Sequence, residues 1–221
     1  MKRLLVFDFD GVIADSEILA NAVLAEVVTE LGVPTTTADS LQRYVGKRLQ
    51  DVMLSVEEAV GRPVPGDFVE LFQRRTLARL RDDVRMVEGA RAYLDAFAHV
   101  PRCIASSSPP DRIDVCLVTL GLTDLFDGRV FSASQVARGK PHPDIFLFAA
   151  ERMGVAPDEA LVLEDSAGGV RAAVAAGMTV IGLTAASHIR DGHGARLTAA
   201  GAHHIAATYA DAAKITREYL R

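Results

Sequence analysis

Short apolar segments alternate with segments of helical periodicity through the second half of the chain, and this alternation is the feature that most limits the possible folds. Strand-like runs occur at 102–105, 129–132, 160–164, 178–183 and 203–206, and helix-like stretches separate them. Alternating strands and helices are typical of a parallel sheet that is covered by helices on both faces. We therefore expect an α/β domain built on a parallel sheet.

One further strand candidate lies at the N-terminus, far from the others in sequence. Residues 4–8 form an apolar run that ends in acid and glycine, LLVFDFDG, as expected of a buried parallel strand followed by a loop. No convincing strand follows until residue 100, and helical periodicity appears instead at about 16–32, 37–45, 48–60 and 66–82. We predict a Rossmann-like parallel core formed by residues 1–15 and 86–221, with residues 16–85 inserted as a small helical cap domain.

Composition excludes several classes of protein. Hydrophobic residues are 49% of the 221 residues, which is enough for one full core and a modest second unit. The net charge of −5 gives no attraction to nucleic acid or to an anionic membrane, and no apolar run approaches the roughly 20 residues of a membrane span. No signal-peptide pattern is visible, and Cys103 and Cys116 lack metal-ligand spacing. We expect a cytoplasmic protein without nucleic-acid or membrane partners.

Polar residues follow three of the predicted strands. In an open parallel sheet, ligands bind beyond the carboxyl ends of the strands, so residues directly after each strand are candidates for a site. A lysine also lies in the loop before the helix predicted at 143–153. The candidates are Asp8 and Asp10, Ser106 and Ser107, Glu164 and Asp165, and Lys140.

The charge balance of these residues predicts a divalent cation. Four carboxylates accompany one lysine, and a partly buried cluster of like charges is untenable unless protons or a cation join it. The donors are oxygens without a Cys or His set, which favours Mg²⁺. Ser106 and Lys140 are then left to hold phosphate oxygens. A carboxylate that faces a phosphoryl group held in this way is a competent nucleophile.

Four segments of the sequence resemble the motifs of one known family. DFDGVIADSE, IASSS, GKPHPDIF and LVLEDSAGGVRAAVAAGM are similar, in this order, to the four motifs of the haloacid dehalogenase superfamily, and the resemblance covers essentially the whole chain. The position of the helical insert resembles subfamily I, the group with a helical cap that contains β-phosphoglucomutase and phosphoglycolate phosphatase. The resemblance implies a Mg²⁺-dependent phosphatase that acts on a small phosphorylated metabolite.

The resemblance also implies a role for each motif residue. Asp8 would become the aspartyl-phosphate. Asp10 would protonate the leaving alcohol, then activate the water that hydrolyses the intermediate, and its backbone carbonyl would bind Mg²⁺. The other motif residues would hold the metal or the phosphoryl group: Asp165 and Asp8 as metal ligands, Glu164 as a ligand or as a neighbour of the ligands, and Ser106, Ser107 and Lys140 around the phosphate.

Other activities of such proteins can be weighed against particular residues. A dehalogenase needs neither a metal nor an acid two residues after its nucleophile, so Asp10 argues against it. A β-phosphoglucomutase-like mutase stays an alternative, although Ala20 stands where the mutases have a histidine and Pro109-Pro110 replaces their polar pair. A binding module without turnover would be expected to lack Asp8 or Lys140, and both are present.

The predicted cap contains a single lysine, Lys47, in the segment Gly46-Lys47-Arg48. A phosphonoacetaldehyde hydrolase-like enzyme would use this lysine as a Schiff base and stays a second alternative. More simply, this segment is expected to be a positive loop that faces an anionic substrate, with Lys47, Arg48 and Arg43 as candidate contacts; a solvated basic face is the alternative. If these residues face the site, the substrate would be a sugar phosphate or a phosphorylated sugar acid. Five of the six histidines are expected to be structural or exposed: His142, His188, His193, His203 and His204. Both a monomer and a homodimer are compatible with the sequence.

Overall fold

The computed structural model describes residues 3–44 and 49–221. Contacts divide the chain into two compact units, of which one consists of Met1–Asp15 and Arg85–Arg221 and the other of Ser16–Val84. Within the described ranges, no helix combines the length and the apolar character that a membrane crossing requires.

The larger unit contains a six-stranded sheet in which every neighbouring pair of strands is parallel. In chain order the strands are β1 (Leu4–Phe7), β2 (Arg102–Ser106), β3 (Val130–Ser132), β4 (Ala160–Glu164), β5 (Thr179–Leu183) and β6 (His204–Ala206). Their spatial order is β3-β2-β1-β4-β5-β6. The α/β class and the parallel sheet are thus confirmed, and each predicted strand lies within one residue of the observed bounds.

Helices occupy the connections between the strands. In chain order they are α1 (Glu17–Glu30), α2 (Thr37–Tyr44), α3 (Leu49–Val60), α4 (Phe68–Asp83), α5 (Ala90–Ala96), α6 (Pro110–Leu120), α7 (Asp144–Met153), α8 (Ala167–Ala175), α9 (His193–Ala199) and α10 (Tyr209–Tyr219). The helix predicted over 188–200 begins only at His193. The reason is Gly192, which has a φ of +79°, a left-handed conformation that glycine adopts readily and that an α-helix does not contain.

Strand β1 is buried on both of its faces, which explains why its sequence is continuously apolar. Leu4 and Val6 belong to a hydrophobic cluster that includes Phe146 of α7 and Val170 of α8. On the other face, the ring of Phe7 packs edge-on against Tyr93 of α5, with 5.9 Å between the ring centroids. Helices on both faces therefore hold the strand whose end carries Asp8.

The smaller unit has a hydrophobic cluster of its own. On α1, buried valines and a leucine recur at helical spacing, from Val23 to Val28, and pack with residues of the other three helices of the unit. Val56 of α3 and Phe68 of α4 are among the buried members of this cluster. Two buried polar side chains of this unit are hydrogen-bonded to each other: the Ser40 hydroxyl donates to Oδ1 of Asn21 at 2.8 Å.

The order of the strands reverses direction between β1 and β4. From β1 the chain first builds β2 and β3 on one side, then crosses to build β4, β5 and β6 on the other. In the register of the sheet, Phe7 pairs with Leu163, and the backbone N–H of Asp8 donates to the Leu163 carbonyl at 2.9 Å. Asp8 and Glu164 therefore lie side by side at the reversal point, where parallel sheets bind their ligands.

Candidate active site

Lys140 joins two acidic residues at the carboxyl end of the sheet. Its Nζ donates to Oδ1 of Asp8 at 2.6 Å and to Oε2 of Glu164 at 2.8 Å. The lysine side chain is only 6% exposed, and its ammonium lies 4.9 Å from the ring centroid of Phe146. Because α7 follows Lys140 closely in sequence, the helix that packs on β1 also delivers the buried cation.

Three buried carboxylates converge around this lysine. Each of Asp8, Glu164 and Asp165 has an oxygen within 4.8 Å of the others. Burial raises the pKa of Asp8 to about 8, and the charge of Glu164 adds to the rise, while Lys140 opposes it. Burial alone would lower the pKa of Lys140, but the two carboxylates outweigh it and the pKa is raised. One lysine thus leaves the cluster short of positive charge.

The donor set of the cluster fits a hard divalent cation. All three groups offer carboxylate oxygen, the ligand type that Mg²⁺ prefers. An added cation would also stabilise the ionised form of Asp8, which burial and Glu164 disfavour in its absence. The residues present therefore fit Mg²⁺ on both chemical and electrostatic grounds.

Glu164 is held by more partners than the sequence indicates. Its Oε1 accepts hydrogen bonds from the backbone N–H of Ser166 at 3.1 Å and from the Ser166 hydroxyl at 2.6 Å. The Ser166 hydroxyl in turn accepts from the N–H of Gly169 in the first turn of α8. A Cβ atom on Gly169 would overlap the Glu164 carboxylate. The small side chain of Ser166 and the absence of a side chain at Gly169 together leave space for the Glu164 carboxylate at the start of α8.

Asp10 lies beside this cluster and has a separate set of partners. Its Oδ2 accepts a hydrogen bond from the hydroxyl of Ser108 at 2.5 Å, and its Oδ1 accepts from the guanidinium of Arg112 at 2.7 Å. Arg112 cannot be recognised from the sequence, because an arginine in the first turn of a helix carries no chemical signature. The spacing of four residues from Ser108 becomes informative only once α6 is known to begin at Pro110.

The predicted phosphate-binding residues occupy different environments. Ser106 is buried and its hydroxyl accepts from the backbone N–H of Ser108 at 3.0 Å, whereas Ser107 is exposed. Lys47 and Arg48 lie outside the described residues. Arg43 is exposed on α2.

Two histidines approach Asp165 from the segment after β5. The His188 Nε2 lies 3.4 Å from Oδ2 of Asp165, and His193 Nε2 is hydrogen-bonded to the Asp165 carbonyl at 2.5 Å. Burial, followed by the effect of His193, lowers the pKa of His188 to about 4, so this ring is neutral at pH 7. The expectation that both histidines are merely structural or exposed missed this proximity, since neither has a sequence neighbour at ligand spacing.

The two cysteines lie in the core of the protein. Cys103 and Cys116 are free and buried. Burial raises the pKa of both thiols, that of Cys116 to about 12. A thiol with so high a pKa stays protonated and is a poor nucleophile, so the carboxylate cluster is left as the chemically competent part of the site.

Several curated relatives of the chain are phosphatases. The haloacid dehalogenase-like hydrolase family matches residues 5–183. The chain is 28% identical over 183 residues to 6-phosphogluconate phosphatase of Escherichia coli K12, a match that covers 82% of each protein. It is 31% identical over 185 residues to hexitol phosphatase B of the same organism, covering 80% of this chain and 81% of the relative.

Solved structures of the same family share the fold. A haloacid dehalogenase-like protein of unknown function from Agrobacterium tumefaciens is 36% identical, covers 100% of both chains and has a TM-score of 0.90. A family hydrolase from Deinococcus radiodurans with bound phosphate and sodium is 31% identical, covers 99% of this chain and 96% of its own, and has a TM-score of 0.84. A putative β-phosphoglucomutase from Thermotoga maritima is 27% identical, covers 99% of both chains and has a TM-score of 0.81.

Proposed function

The chain belongs to the haloacid dehalogenase-like hydrolases and is a phosphoric monoester hydrolase, and we propose that it cleaves a small phosphorylated metabolite through an aspartyl-phosphate on Asp8, with Mg²⁺ as cofactor. One observation carries the proposal. Lys140 bridges Asp8 and Glu164 at the point where the order of the strands reverses, and a third buried carboxylate, that of Asp165, lies beside them.

Asp8 acts as the nucleophile in this mechanism. One of its carboxylate oxygens forms a bond to phosphorus while the P–O bond to the ester oxygen breaks, and Asp10 gives a proton to that oxygen. In the second step Asp10 takes a proton from a water molecule whose oxygen bonds to phosphorus. The bond between Asp8 and phosphorus then breaks, inorganic phosphate leaves, and both aspartates return to their starting states.

The remaining residues neutralise and orient charge. Lys140, with Ser106 and Ser107, holds the phosphoryl oxygens, and the ammonium stabilises the charge that develops on them. Mg²⁺, when bound, would supply further positive charge to the transferring phosphoryl group. Its ligands would come from Asp8, the backbone carbonyl of Asp10, Asp165 and Glu164.

The substrate that we propose is a sugar phosphate or a phosphorylated sugar acid. Support comes from the names of two relatives, a 6-phosphogluconate phosphatase and a hexitol phosphatase. The contacts of Lys47 and Arg48 with additional anionic groups of the substrate stay a prediction. The assignment of residues 16–85 as a cap on a core of residues 1–15 and 86–221 also stays a prediction. We also propose a cytoplasmic location, which two free cysteines favour.

Release of inorganic phosphate from a panel of phosphate esters tests the proposal. The panel contains 6-phosphogluconate, hexitol phosphates and sugar phosphates, each assayed with Mg²⁺ and with a chelator. We expect turnover that requires the metal and that Asp8→Asn abolishes. Intact-mass analysis after acid quenching should show one phosphoryl group on the wild-type chain and none on the variant. Metal-independent turnover, or substantial activity of Asp8→Asn, would contradict the mechanism.

A phosphoryl-transfer mutase is the second candidate, because the chain is similar to a putative β-phosphoglucomutase of known structure. The absence of a histidine at Ala20 weighs against it. Incubation with β-glucose 1-phosphate and a trace of the bisphosphate separates the two activities. A phosphatase releases phosphate and glucose, whereas a mutase forms glucose 6-phosphate. The Schiff-base alternative through Lys47 is tested by borohydride trapping with phosphonoacetaldehyde.

A further inference from the structure

The backbone around Asp10 is tightly fixed, so that only its side chain is left to be oriented. The N–H groups of Val12, Ile13 and Ala14 all donate to the Phe9 carbonyl. The N–H of Gly11 donates to the Ala14 carbonyl at 2.7 Å. This closed turn follows β1 directly. The free torsions of Asp10 are therefore those of its side chain, and the terminal torsion of an aspartate is broad.

Two donors remove this remaining freedom. The Arg112 guanidinium holds Oδ1 of Asp10 and the Ser108 hydroxyl holds Oδ2, so each carboxylate oxygen has its own partner. The Arg112 and Asp10 side chains are 19% and 13% exposed. The pair is therefore largely shielded from water, which makes the interaction stronger than that of a surface ion pair.

The Ser108 donor is itself fixed from two directions. Its backbone N–H donates to the Ser106 hydroxyl at 3.0 Å, and its carbonyl accepts from the hydroxyl of Ser132 at the end of β3 at 2.7 Å. Arg112 is carried by the first turn of α6. Residues at the ends of two neighbouring strands and in the first turn of one helix thus fix the position of the Asp10 carboxylate. A solvated strand end would not require so many contacts.

We propose that Arg112 is a positioning residue that, together with Ser108, orients the Asp10 carboxyl group for its proton transfers. The inference rests on the function proposed above, in which Asp10 protonates the leaving oxygen and later accepts a proton from water. Proton transfer requires that donor and acceptor lie within hydrogen-bonding distance, so the orientation of a single carboxyl group limits both steps. Nothing in the motif pattern of the sequence assigns this role to Arg112.

Substrates that differ in their leaving group test the inference, with Arg112→Met as the main variant. The alkoxide of an alkyl phosphate is a poor leaving group and needs the proton from Asp10, whereas the dinitrophenolate of 2,4-dinitrophenyl phosphate leaves without one. Since a positioned acid or base contributes roughly 10²–10⁴-fold, we expect Arg112→Met to lower kcat on the alkyl ester by at least about 10-fold. On the dinitrophenyl ester we expect a rapid burst of dinitrophenolate followed by slow turnover, because hydrolysis of the aspartyl-phosphate still needs Asp10.

Accumulation of the phosphoenzyme is the readout that a purely structural role would not produce. Equal losses on both esters without a burst, or unchanged kinetics on both, would overturn the inference. Arg112→Lys keeps the charge but cannot reproduce the planar guanidinium, and we expect it to recover part of the lost rate. Asp114→Asn changes an exposed acid on the same helix and should match the wild type.

Ser108→Ala keeps the inference falsifiable if Arg112→Met fails to fold. It removes one donor to Asp10 without leaving a guanidinium unpaired, and should show the same selective loss to a smaller extent. The failure of the proposed function is a separate outcome. If the wild-type protein releases no dinitrophenolate, or if Asp8→Asn does not abolish the release, the phosphatase mechanism fails. If release depends on Asp8 but Arg112→Met and Ser108→Ala are unselective, only the positioning role fails.

Discussion

Replacement of Asp8 by asparagine should make the metal-free protein more stable while it abolishes turnover. The carboxylate of Asp8 is buried next to Glu164, and its pKa is raised from 3.8 to about 8. The folded state therefore holds a proton that the unfolded chain has released, over the range between these two values. The contribution of this group to stability is complete below about pH 4 and is lost as the pH rises towards about 8.

The size of the effect follows from this shift. At pH 7 about 3 units of the shift are in play, which corresponds to at most about 4 kcal/mol of destabilisation at about 1.4 kcal/mol per unit. Asparagine is neutral without taking up a proton and still offers an oxygen to Lys140, but its amide is buried and needs partners of its own. We therefore expect a net gain of about 2 kcal/mol, or about 4–8 °C in Tm for a chain of this size.

Urea denaturation in the presence of a chelator, from about pH 5 to 8, measures the effect. The difference in unfolding free energy between Asp8→Asn and the wild type should widen with pH, and Mg²⁺ should stabilise the wild type more than the variant. Asp124→Asn, at an exposed position, is the matched control and should track the wild type throughout. A gap that is absent at pH 7, or that does not grow with pH, would refute the electrostatic reasoning.

Three further substitutions probe the same cluster. Lys140→Met leaves two buried carboxylates without their cation, so it should lower the unfolding free energy by about 3–5 kcal/mol and abolish phosphate release; a stable, active variant would contradict its role. His193→Ala removes the hydrogen bond to the Asp165 carbonyl and should weaken Mg²⁺ binding roughly 10-fold by titration calorimetry; an unchanged affinity would argue against a role of His193 in orienting Asp165. Gly169→Ala places a methyl group against the Glu164 carboxylate and should cost about 1–3 kcal/mol in denaturation experiments, whereas wild-type stability would show that the carboxylate can move aside.

Residues of the same type elsewhere in the chain provide the controls. Lys214 and His204 are exposed, so Lys214→Met and His204→Ala should preserve both stability and metal binding. Gly168 precedes Gly169 on α8 and has open space around it. Gly168→Ala should be neutral or stabilise the helix by up to about 1 kcal/mol, in contrast to its neighbour.

The sheet and the grouping of the acidic residues at its edge could be predicted from the sequence because both depend on local patterns. Apolar runs of four to six residues mark strands that are buried on both faces, and acidic residues directly after such runs mark the carboxyl edge of the sheet. This reasoning brought Asp8, Glu164, Asp165 and Lys140 to one edge, where the structure places them together. The predicted start of α9 was five residues too early, because helical periodicity does not reveal a left-handed glycine.

The partners of the acidic residues could not be predicted in this way. Arg112 and His193 reach Asp10 and Asp165 across 102 and 28 residues of chain, and neither stands in a motif. Their contacts depend on where α6 and α9 begin relative to the strands that precede them, which is a property of the packed helices. Local patterns thus identify residues that follow a strand, whereas tertiary packing selects the residues that hold them.

Two glycines explain why the acidic cluster can be so compact. A Cβ on Gly11 would overlap the Asp165 carboxylate, and one on Gly169 would overlap that of Glu164. Gly11 also has a φ of +76°, which any other residue would adopt only under strain. The carboxylates therefore occupy space that side chains would otherwise fill, and like charges approach closely because the backbone beside them is bare. A cluster assembled in this manner repels itself unless Asp8 keeps a proton or a second cation joins Lys140, which is the physical reason to expect a divalent metal ion at this edge of the sheet.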